Sequence, residues 1–74
     1  MRVTKRKIEA ILQKDERMKY VTLWYDRSAK QWIFAGGDAR MWESSSTLTP
    51  RLDMMSVEEW VDLAYELAGR KRYV

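Results

Sequence analysis

The stretch from Tyr20 to Ala35 constrains this chain most, because it puts large apolar side chains on both faces of what reads as a strand pair. Val21, Leu23, Ile33 and Ala35 share one parity, and Trp24, Trp32 and Phe34 share the other. A small sheet with helices on one side normally turns polar residues to its second face. Neither face is polar here, so one belongs under a core and the other is left to meet a partner. Pairing Leu23 with Ile33 sets Val21 against Ala35 and Trp24 against Trp32, with aliphatics on one side and rings on the other. Two arrangements stay open. Either the aromatic face is exposed, or it forms the core and leaves Val21, Leu23, Tyr25 and Ile33 outside.

The polar run Asp26-Arg27-Ser28-Ala29-Lys30 separates the two strands, and Gly36-Gly37-Asp38 marks a second tight turn. A third strand is expected over Arg40 to Ser44, with Met41 and Trp42 on opposite faces. Thr4 is placed to cap a helix over Lys5 to Arg17, with Val3 and Ile8 as its hydrophobic staple and Ile8, Ile11, Leu12 and then Asp15 or Met18 as a narrow apolar stripe. The last helix carries stronger signals. Ser56-Val57-Glu58-Glu59 is a capping box, Met55 and Trp60 are its staple, and Gly69 is its stop. Val57, Trp60, Val61, Ala64, Leu67 and Ala68 make its apolar face. Ser44 to Pro50 is a polar connector, and Thr49-Pro50 suits the start of a single helical turn. The expected architecture is a small α+β domain: a helix, an antiparallel sheet of two or three strands, and a second helix.

This order, with basic ends, resembles the topology of double-stranded-RNA-binding domains. That family places a lysine cluster at the start of its second helix for duplex phosphates, whereas this chain has Ser56-Val57-Glu58-Glu59-Trp60 there. Acids at that place repel a phosphate backbone, so the resemblance implies a topology and carries no contacts with it.

With 74 residues and no cysteine, the chain reads as one domain whose stability rests on its aromatics: four Trp, four Tyr and one Phe. No run approaches a membrane span, and the basic start Met1 to Lys7 has no apolar stretch behind it, so a cytoplasmic protein is expected. The absence of His and Cys removes the usual neutral-pH base, the thiolate nucleophile and the common zinc ligands. Glu58, Glu59, Asp62 and Glu66 remain as acids on the last helix, where a solvated face accounts for them. No enzyme, cofactor or metal site is therefore expected.

Charge is unevenly spread. Residues 1–20 hold seven Lys or Arg against three acids, residues 38–69 hold two against seven, and Arg70, Lys71 and Arg72 follow. Lys5, Arg6 and Lys7 sit in the first turn of the first helix, against its macrodipole, which marks them as candidate anion contacts. Together with Arg70, Lys71 and Arg72 on phosphates, and Trp24, Trp32 and Phe34 stacking on bases, they describe a nucleic-acid-binding module. The alternative is a protein-interaction module, such as a small inhibitor, a regulatory subunit or a homodimer, that uses an open apolar sheet face.

Overall fold

Thr4, in extended backbone, opens the first helix by accepting the Lys7 N–H on its hydroxyl at 3.2 Å. In the computed structural model, which describes residues 2–42 and 51–72, this helix, α1, spans Lys5–Leu12. It is shorter than the stripe predicts. Asp15 adopts extended backbone and accepts the Arg17 N–H at 2.9 Å, capping a separate 3-10 turn at Glu16–Met18. An acid at the position where the apolar stripe would continue thus ends α1 and starts a new turn, which still delivers Met18 to the core.

Strands β1 (Thr22–Asp26) and β2 (Gln31–Ala35) pair antiparallel as a two-stranded sheet. Their register is one residue away from the expected one: Leu23 faces Phe34, Trp24 faces Ile33 and Tyr25 faces Trp32. The loop sets this register. Asp26 pairs with Gln31, and its carboxylate accepts the N–H groups of Ser28 at 2.9 Å and Ala29 at 3.3 Å, while Lys30 takes a left-handed φ of 55° to close the turn. A one-residue slip exchanges the faces of one strand. Leu23 and Phe34 are consequently buried together, and Trp24 stands opposite Ile33 on the outer side.

Residues 40–42 do not form the expected third strand. Gly36 and Gly37 turn the chain with φ of 81° and 52°, and Ala39–Met41 forms a 3-10 turn whose Ala39 is fully buried. Residues 43 and 44 of that expectation, and the Thr49-Pro50 turn start, lie outside the described residues. A 3-10 turn at Leu52–Met54 then leads to α2, Val57–Ala68. Among the described residues the sheet has two strands, so the topological resemblance to double-stranded-RNA-binding domains does not extend to their third.

Helix α2 follows its sequence signals closely. Ser56 and Glu59 complete a reciprocal capping box, both bonds 3.1 Å, and Gly69 ends the helix at φ 68°. Trp60 lies at the core, its indole N–H donating to the Leu52 carbonyl at 2.7 Å and its ring 6.3 Å from Phe34. Ile8, Leu12, Met18, Val21, Leu23, Val61, Ala64 and Tyr65 complete the buried cluster with Ala39. Both helices therefore contribute to one core with the inner sheet face, while on the outer face Trp24 is exposed and Ile33 half-buried.

Candidate functional site

The outer face of the hairpin carries Thr22, Trp24 and Asp26 from β1 and Gln31, Ile33 and Ala35 from β2. Trp24 is 57% exposed, although neighbouring strand residues bury their apolar side chains. Arg27 and Lys30 stand in the adjoining loop, both exposed, and neither side chain has an ion-pair or hydrogen-bond partner among the described residues. Tyr20, before β1, is 68% exposed, with the Lys19 ammonium 5.0 Å from its ring centre. An indole face beside free cations suits a flat, anionic ligand.

The other candidate rings turn inward. Phe34 is buried against Trp60 and Trp42, the latter 5.9 Å away. Trp32 packs edge-on against Tyr25 at 5.3 Å, and its indole N–H is buried without an acceptor among the described residues. The register decides this division, because Trp24 and Trp32 lie on opposite faces once Tyr25 pairs with Trp32.

The basic first turn of α1 is only partly free. Lys5 reaches Glu9 at 2.8 Å, and the same Glu9 oxygen accepts the Leu23 N–H at 2.8 Å. Glu9 thereby ties α1 to a β1 donor that points away from β2. The Lys7 ammonium donates to the Arg2 carbonyl at 2.9 Å, while the Arg6 side chain is exposed and has no partner among the described residues.

The C-terminal cations are committed differently. Arg70 binds both carboxylate oxygens of Asp38 and donates to the Arg17 carbonyl at 3.1 Å. The Arg70 guanidinium holds the Asp38 carboxyl below its ordinary range. Arg72 reaches back along α2 to Asp62 and Glu58, each at 2.5 Å, and first the Asp62 bond, then that of Glu58, raises its own already high pKa. Lys71 accepts from Arg17 through its carbonyl at 2.7 Å, with its side chain exposed.

A buried polar knot accompanies these contacts and was not among the candidate residues. Tyr65 donates its hydroxyl to Asp15 at 2.8 Å, and Arg17 grips the same carboxylate through two nitrogens at 3.2 and 2.7 Å. Arg17 holds the Asp15 carboxyl well below the usual carboxylate range. Burial, then the bond to Asp15, pushes the Tyr65 phenol up to about 12. The one sequence signal for this knot was an acid interrupting an apolar stripe.

Separately, Val3, Lys7, Ala10, Ile11, Ser56, Val57 and Glu58 line an open groove of about 610 Å³ between the starts of the two helices. Among the described residues there is no cluster of three or more potential metal ligands, and no helix long and apolar enough to cross a membrane. No family model, curated protein or solved structure matches the chain.

Proposed function

We propose that this chain is a non-enzymatic binding module that takes single-stranded nucleic acid on the outer face of its hairpin. Trp24 stacks on a base, and Arg27 and Lys30 meet neighbouring phosphates. The observation that carries this reading is the 57% exposure of Trp24 on a strand whose loop supplies two uncommitted cations. An indole stacks on any base, and single-strand sites combine such rings with a basic track. The overall charge of +3 adds weak attraction. Much of the carboxylate charge is already engaged: Glu9, Asp15, Glu16, Asp38, Asp53, Glu58 and Asp62 all pair with cations. What is left for a partner is mainly cationic and aromatic.

Ile33 opposite Trp24 favours a second reading, a protein partner docked on the same face. Salt separates the two. Each phosphate contact to a single strand contributes a slope of about −0.7 in log affinity against log salt, whereas apolar docking is much less sensitive. The test is fluorescence anisotropy of a labelled 15-mer oligothymidylate between 50 and 200 mM salt. The parent should bind with a steep slope, and Trp24→Ala should weaken binding by about 1–3 kcal/mol while the melting temperature holds. No binding at the lowest salt would end the nucleic-acid reading.

A further inference from the structure

The groove between the starts of the two helices has apolar walls and unpaired charge on one side only. Lys7, Ala10 and Ile11 are spaced three and four residues apart, so they share one face of α1, and with Val3 they meet Ser56, Val57 and Glu58 across the groove. Val3, Ala10, Ile11 and Val57 form the walls. None of these four is fully buried, although Ile8 and Leu12 of the same first helix are, so apolar surface stays open to water where a hydrocarbon could cover it. The volume of about 610 Å³ is that of a small-molecule site.

The polar groups around the groove differ from side to side. On α2 the Ser56 hydroxyl accepts the Glu59 N–H and the Glu58 carboxylate is held by Arg72, so charge there is already paired. On α1 it is not. The Lys7 ammonium donates to the Arg2 carbonyl at 2.9 Å and has no carboxylate partner among the described residues. Arg2, exposed and with its side chain unpartnered among those residues, lines an adjoining hollow that shares Val3 with the groove, which adds positive potential at that end. An apolar chain that ends in an anion answers both the walls and the ammonium.

We propose that this groove binds a small aliphatic carboxylate, with its hydrocarbon chain along Val3, Ala10, Ile11 and Val57 and its carboxylate on Lys7. None of the lining residues belongs to the hairpin, so the site stands apart from the nucleic-acid reading.

The test titrates hexanoate, octanoate and decanoate into isotopically labelled protein, with decanol and decylamine as controls, and follows backbone amides by heteronuclear NMR. Amides of Lys7, Ala10, Ile11 and Val57 should shift and saturate, and each added methylene should tighten binding by about two- to fourfold. Decanoate should bind more tightly than either control. Lys7→Gln should weaken decanoate by about two- to fivefold, the range of a part-exposed ion pair, and leave decanol unchanged. Ala10→Phe places a ring in the groove from an exposed position and should abolish saturation by every chain length while circular dichroism holds. Should that variant fail to fold, the Lys7→Gln comparison still decides. The proposal is overturned if no acid saturates the groove amides, if the three head groups bind alike, or if Lys7→Gln binds decanoate as the parent does. It also falls if the same amides shift on diluting the free protein, since a second copy then covers the groove.

Discussion

Two glycines at positive φ illustrate how differently single residues are constrained. A Cβ at Gly36, φ +81°, would lie 2.3 Å from the Tyr20 carbonyl oxygen, a backbone atom that cannot rotate away. At Gly69, φ +68°, a Cβ meets nothing within 4 Å. Gly69→Ala should therefore cost only left-handed strain, about 1–2 kcal/mol, and Gly36→Ala clearly more. In thermal melts the first should fall by roughly 4–15 °C, and a similar loss for Gly36→Ala would mean that the turn readily relaxes. Titration gives a second residue-level outcome. Asp15 has a lowered folded pKa, so its stabilisation is present above the unfolded value of about 4 and is lost as pH falls below it. Tyr65 is the opposite case. Its pKa is raised to about 12, so its stabilisation is complete below the unfolded value of about 10 and is lost as pH climbs from there. Denaturant melts of the parent and Tyr65→Phe should converge across that alkaline interval, and parallel curves would remove the phenol from the account.

Among elements, legibility followed the presence of local signals. The two caps, the box at Ser56 and the stop at Gly69 define α2 almost to the residue, because capping depends on side chains within one turn. Helix α1 shares a good cap, but its far end depends on Asp15 preferring to cap a 3-10 turn and bind Arg17 and Tyr65, the last a contact made 50 positions away. The hairpin was legible as a pair and illegible in register, since alternation tolerates either pairing until loop geometry at Asp26 and Lys30 selects one. Residues 40–41 looked like strand by composition and became a 3-10 turn because two left-handed glycines redirect the chain. Trp60 tests the element that was read best. Its ring and its bond to Leu52 join α2 to the hairpin and the preceding turn, so Trp60→Ala should remove about 3–5 kcal/mol, comparable with the whole stability of a domain this small. Loss of the cooperative melt by circular dichroism is expected, and a transition within a few degrees of the parent would show that α2 does not depend on it.

For the whole molecule, the candidate site divides according to what folding consumes. Aromatic content was visible in the sequence, but which rings stay outside depends on a one-residue register: Phe34 enters the core, Trp32 turns inward and Trp24 remains on the surface. Basic clusters were equally visible, yet Arg70 and Arg72 found carboxylates 32 and 10 positions away, pairings that local patterns do not encode. Arg27 and Lys30, read only as loop residues, emerge as exposed cations in the loop that follows the strand carrying Trp24. Stability and binding should therefore separate at this loop. Lys30 holds φ 55°, a conformation that glycine adopts without strain, so Arg27→Gln/Lys30→Gly should melt at the parent's temperature or above it. The same double change removes two phosphate contacts and should flatten the salt slope for oligothymidylate by about 1.4. Weaker binding by an equally or more stable protein is the expected pair of results. A binding isotherm and slope identical to the parent's would place the phosphates elsewhere and remove the hairpin tip from the interface.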